Sequence, residues 1–156
     1  MLAAKREHER VRRDSDPAYR ERSKNVSRAW RTAAKQNPEQ WARIQDAAHV
    51  RYRETQPLRL VLAARSRAKQ RGLDCDLTKE WLNSVWTGRC ALTDIPFEME
   101  RKQHGPFSPS VDRIDNAQGY LQSNCRFILF GLNAAKGTGT DADVIRLAKA
   151  VVEKHA

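Results

Sequence analysis

Between Ser110 and Lys136 the sequence sets two short runs of strand formers around a turn-rich loop and follows them at once with a helical pattern. The first run, Ser110 to Ile114, carries Asp112, and Asp115 stands at its end. The loop contains Gly119. The second run, Phe127 to Phe130, is too short for a helix and rich in strand formers. Asn133 stands where the new helical pattern begins, with Lys136 close behind. The order is strand, loop, strand, short helix. Its polar residues Asp112, Asp115, Asn124 and Asn133 cluster where an ordinary hairpin needs none.

The charge of the chain is unevenly spread. Lys and Arg number 29 against 19 Asp and Glu, a formal net charge of +10. Residues 1–72 hold 19 of the basic and 8 of the acidic residues, a net of +11, and residues 73–156 hold 10 and 11, a net of −1. A basic half of this kind gains affinity for a polyanion by neutralising phosphates and releasing counterions. At 156 residues the chain has room for one modest domain and an extension. The expected division lies at Gly72, with a basic helical arm (1–72) before an α+β domain (73–156).

Three segments in the arm each open with a polar residue and proline: Asp16-Pro17, Asn37-Pro38 and Gln56-Pro57. Proline suits the first helical position, and Asp or Asn before it can cap the exposed N–H groups. The spacing predicts helices at 17–35, 38–55 and 57–71, the last stopped by Gly72. Residues 1–13 lack an apolar face and are expected to be flexible when free. Aromatics stand among arginines on the first two helices; Trp30 and Trp41 are expected on the packing face. Arg20, Arg28, Arg31, Arg43, Arg51 and Arg53 are the candidate DNA contacts there. On the third helix, Leu58, Val61, Leu62 and Ala68 form an apolar face, and Arg65, Arg67, Lys69 and Arg71 a basic one that adds four more candidate DNA contacts.

Further on, the pattern predicts a helix over 79–86, a strand and turn over 90–97, a surface loop over 98–105 and a last helix from Thr140 to Lys154. Ile145, Leu147, Ala148, Val151 and Val152 give that last helix its apolar side, and Asp141 and Asp143 suit its N-terminus. Cys75, Cys90 and Cys125 form no CxxC pair, which argues against a disulfide framework and for a reducing cytoplasm. Cys90 and Cys125 read as small buried residues. No stretch reaches the length of a membrane span, and the first residues lack the apolar core of a secretory signal.

The order Val-Asp-x-Ile-Asp, Asn124-x-Arg126 and Asn133 resembles the HNH, or ββα-metal, endonucleases. The run SPSVDRIDNAQGY, with its later Asn, Asn and Lys, looks like a group of small phage and prophage HNH-like proteins. Many of these carry stretches like CALTDIPFE and RSRAKQRGLDCDLT upstream. The resemblance spans roughly 60–152. It implies a ββα-metal nuclease core with flanking helices, Mg²⁺ or Mn²⁺ as cofactor, duplex or branched DNA as partner, and a bacterial cytoplasm as location. A homodimer is left open.

By motif position, Asp112 and Asn133 correspond to the metal ligands, Asn124 fixes the loop, and Lys136 contacts phosphate. Arg113 stands where the family has its water-activating His. A guanidinium stays protonated at neutral pH, so Arg113 is expected to clamp phosphate instead. The base is then Asp115, His104 or a metal-bound hydroxide. A metal-dependent DNA endonuclease is the leading expectation. Arg113 keeps alive a second, a catalytically impaired DNA-binding protein; charge alone suggests a third, an RNA-binding factor.

Overall fold

The computed structural model describes residues 2–99 and 104–156. Among these residues are six helices and a two-stranded antiparallel sheet, so the fold class is α+β. The chain divides into two compact units, Met1–Ala48 and His49–Ala156.

The first unit contains α1 (Leu2–Ser15), α2 (Pro17–Lys35) and the start of α3 (Pro38–Arg71). Of the stretch expected to be flexible when free, residues 2–13 are helical. It is rich in helix formers, Arg10 pairs with Glu7 one turn away, and the Arg12 guanidinium lies 4.7 Å from the Tyr19 ring centre. Asp16 caps α2 by accepting from the Tyr19 N–H at 2.9 Å, and Pro17 holds the first helical position. The aromatic stripe of α2 does not form a packing face, since Trp30 and Val26 are mostly exposed. Ala34 is the buried residue of this helix, and Trp41 is half-buried with Lys35 over its ring.

Two expected helices, 38–55 and 57–71, are one. Pro57 lies inside α3, where it removes a backbone donor and crowds the preceding turn, at a cost of about 3 kcal/mol. The offsetting gain is burial: Pro57, Val61, Ala64 and Ala68 are all buried, although Leu62 faces outward. The same residues explain why the second unit begins at His49 rather than after Gly72. Val61, Ala64 and Ala68 belong to its core, together with Leu77, Trp81, Leu82, Val111, Tyr120, Phe127 and Ile128.

That core is built on rings. Thr78 caps α4 (Lys79–Val85) through the Trp81 N–H, which turns Trp81 and Leu82 inward. Trp81 stacks on Phe127 at 5.6 Å, and Trp86 meets the same ring edge-on at 4.9 Å and Phe97 face-on at 5.4 Å. Of the strand and turn expected over 90–97, the turn is present, closed by a single bridge, Arg89 to Pro96, and the strand is reduced to that bridge. Residues 100–103 of the expected loop lie outside the described residues; around them, the Glu98 N–H bonds the Phe107 carbonyl at 3.0 Å.

Strand β1 (Pro109–Arg113) pairs with β2 (Cys125–Leu129), with Asp112 opposite Arg126 and Val111 opposite Phe127. Helix α5 (Phe130–Lys136) follows β2 directly, so Asn133 sits in its middle rather than at its start. Helix α6 (Asp141–His155) opens on a capping box between Thr140 and Asp143. Its expected apolar side is not covered: Val144 is buried, while Ile145, Leu147, Val151 and Val152 are exposed.

Candidate functional site

The hairpin, α5 and the start of α6 bring four charged side chains together. Asp112 follows the core residue Val111 on β1 and is itself 3% exposed. Register puts Arg126 across from it; the Arg126 Nε donates to Asp112 Oδ2 at 2.9 Å, and its Nη2 stands 2.8 Å from the same oxygen as an ion pair. One helical turn past Asn133, Lys136 reaches the same carboxylate, its Nζ donating to Oδ1 at 3.0 Å and Oδ2 at 3.2 Å. Asp141, the first residue of α6, accepts a short hydrogen bond from Arg126 Nη2 and stands 3.5 Å from the Lys136 ammonium. Two carboxylates thus balance two cations in a buried cluster.

The electrostatics follow from this pairing. The hydrogen bond from Arg126 holds the Asp141 carboxyl below its ordinary pKa, against the opposing effect of burial. Burial works against the Arg126 charge, but the bonds to Asp141 and Asp112 prevail and push its pKa further up. Removing any one partner leaves an uncompensated buried charge.

Around this cluster the loop is tied by the remaining motif residues. The buried Asn124 accepts from the Asp115 N–H at 2.9 Å and donates to the Asp115 and Gly119 carbonyls at 2.9 and 3.0 Å. Asp115 closes a turn by accepting from the Ala117 N–H and Gln118 Nε2, which lowers its pKa. The Arg113 guanidinium lies 5.1 Å from the Tyr120 ring centre and donates to the Gln118 carbonyl at 2.8 Å and, more weakly, to Asn116. Gly119 is required here: a Cβ would come 2.3 Å from the Asp74 carbonyl oxygen, beside the 2.8 Å bond from the Tyr120 N–H to that same oxygen. Asn133 Nδ2 donates to Ser110 Oγ at 2.7 Å and to the Val111 carbonyl at 3.2 Å.

The other sequence-predicted residues have these surroundings. Lys136, expected on phosphate, has no exposed side-chain surface and is spent on Asp112 and two backbone carbonyls. His104, a candidate base, is exposed and lies tilted against Phe130 with ring centres 4.2 Å apart. Arg20 caps the end of α1 by donating to the Arg13 and Asp14 carbonyls. Arg28, Arg31, Arg43, Arg51, Arg53, Arg65, Lys69 and Arg71 are exposed, and Arg67 is half-buried. Arg126 and Asp141 were missed as site residues. Once a hairpin is assumed, the opposite charges of Asp112 and Arg126 at facing positions are the signal that finds the first of them.

These side chains do not fit a resident divalent ion. Such an ion needs several hard oxygens turned toward one point, whereas both Asp112 oxygens here face cationic donors and the Asn133 amide is bound to the strand through its nitrogen. Among the described residues no group of three His, Cys, Asp or Glu side chains could hold a metal. No family profile, curated protein or solved structure matches the chain.

Proposed function

We propose that this chain is a DNA-binding protein with an HNH-type ββα core whose centre is closed by internal ion pairs. The single observation that supports this most is the state of Asp112. The motif's leading acidic residue is buried and bonded on both oxygens by Lys136 and Arg126. Arg113 removes the usual base, and its guanidinium is bonded to the loop it flanks.

The grip on DNA comes from exposed arginines. In the first unit, Arg13, Arg20, Lys24, Arg28 and Arg31 line a cleft of about 520 Å³ with Ser23 and Ser27. Arg13 comes from α1 and the other four cations from α2; such a row suits a run of phosphates and carries no base readout by itself. The test is fluorescence anisotropy on a duplex in EDTA over a series of salt concentrations. Each phosphate contacted adds a slope of about −0.9 in log K against log salt. Binding without metal, with a slope that flattens when Arg28, Arg31 and Arg43 are changed to Gln, supports the reading. No binding in EDTA at low salt sinks it.

The metal-dependent endonuclease is kept as a second reading by one feature: Asn133 and Lys136 lie one turn apart over Ser110 and Asp112, side by side on β1. It requires the ammonium to leave Asp112. Plasmid nicking in Mg²⁺ or Mn²⁺ that EDTA stops and Asp112→Ala abolishes would favour it.

A further inference from the structure

Lysine is almost never fully buried unless its ammonium is matched on every side. Lys136 has no exposed side-chain surface, yet its three N–H donors meet four oxygens. These are Asp112 Oδ1 at 3.0 Å, Asp112 Oδ2 at 3.2 Å, the Arg113 carbonyl at 2.7 Å and the Ile114 carbonyl at 3.1 Å. Asp141 Oδ1 stands just beyond, at 3.5 Å. The two carbonyls lie where β1 ends; the Ile114 N–H still bonds the Asn124 carbonyl at 2.8 Å, but the Asn124 N–H turns to the Leu121 carbonyl and leaves the Ile114 carbonyl to Lys136.

A shell of carboxylate and carbonyl oxygens is what a hard cation takes. Here the cation is tethered to the helix. We infer that the Lys136 ammonium is a built-in replacement for a metal ion, and that deleting this side chain uncovers a site for a calcium-sized cation. The inference takes its place in the fold from the ββα reading above. Its test involves no nucleic acid, so a failure to bind DNA and a failure here are separate results.

Size and charge choose the ion. The four oxygens surround Nζ at 2.7–3.2 Å. Mg²⁺ demands a near-ideal octahedron at about 2.0–2.1 Å, whereas Ca²⁺ accepts irregular oxygen shells at about 2.3–2.6 Å completed by water. A contraction of a few tenths of an ångström serves Ca²⁺, and the volume vacated by the lysine stem admits the waters. Without the ammonium, Asp112 and Asp141 face Arg126 alone, and the excess negative charge draws the ion in.

The experiment compares thermal melts in EDTA and in millimolar Ca²⁺. The wild-type midpoint is expected to be the same in both. Lys136→Ala is expected to melt lower in EDTA and to recover in Ca²⁺; at a hundredfold excess over the dissociation constant, linkage raises the folding equilibrium constant about a hundredfold. Lys136→Met removes the charge but keeps the stem in the seat, so it should melt low and gain nothing from Ca²⁺. A wild-type midpoint that rises with Ca²⁺ overturns the inference, because the ammonium then does not hold the seat. So does a Lys136→Ala protein that stays unfolded, or stays equally destabilised, in saturating Ca²⁺. Equal rescue of Lys136→Met overturns it as well, by placing the ion elsewhere.

Discussion

Replacing Asp112 by Asn keeps the shape of the side chain and removes its charge, which isolates what the carboxylate does. In the native cluster that carboxylate takes both the Lys136 ammonium and the Arg126 guanidinium, with side chains 0% and 16% exposed. After the change, Asp141 is the remaining anion, 3.5 Å from the ammonium and itself partly open to water. Two cations then share one carboxylate, and the Asn amide turns a donor toward one of them. Breaking a buried pair from one side costs about 3–5 kcal/mol. For a cooperative unit the size of residues 49–156, about 4 °C of midpoint goes with each kcal/mol, so a drop of roughly 12–20 °C is expected. Near-ultraviolet circular dichroism reports it directly, since Trp81 and Trp86 pack on Phe127 in the same core. The drop should be nearly the same in low and high salt, because buried pairs are poorly screened. A midpoint within about 2 °C of wild type would refute the reasoning, since it would mean that Asp112 carries no uncompensated partner when neutralised.

Other perturbations report on the surroundings. Gly119→Ala drives a methyl onto the Asp74 carbonyl, a backbone atom that cannot rotate away, so the unit should lose about 1–3 kcal/mol in chemical denaturation. A protein as stable as wild type would show that the two loops do not meet. Burial pushes the Cys125 thiol up to about 12, and Cys90 is buried as well, whereas Cys75 is exposed. One fast thiol is therefore expected in a disulfide-exchange titration of the native chain, with the other two appearing on unfolding. Acid should weaken the fold in a defined window. The folded pKa of Asp141 is lowered, first by its bond from Arg126, so its contribution is present above its unfolded value near about 3.9 and is lost as pH falls through the folded value. Melts should be flat from about pH 8 to 5 and fall below about 4, and Arg126→Met should shrink the part due to Asp141.

How much of this could be read from the residues depends on the range of the interaction. The hairpin, the short helix and the capped helices at Asp16 and Thr140 were legible because each is set by neighbours a few positions apart. Pro57 misled, since proline chemistry marks a helix start locally and only the burial of Val61, Ala64 and Ala68 outweighs it. The exposed stripes of α2 and α6 misled in the opposite way: periodicity identifies an apolar face without supplying anything to cover it. At the site, the motif located Asp112, Asn124 and Asn133, but nothing in their spacing says that Lys136 points inward. That follows from the cross-strand position of Arg126 and the start of α6 at Asp141, both long-range facts.

The most direct measurement of the central claim is a Mn²⁺ titration of the wild-type chain followed by amide NMR, in which a bound paramagnetic ion erases the signals nearest to it. With an ammonium already in the seat, stoichiometric Mn²⁺ should leave the amides of Asp112, Arg113, Ile114 and Asn133 as sharp as those of the distant core. Selective loss of those four signals at one equivalent of Mn²⁺ would contradict the account and return the centre to a divalent metal.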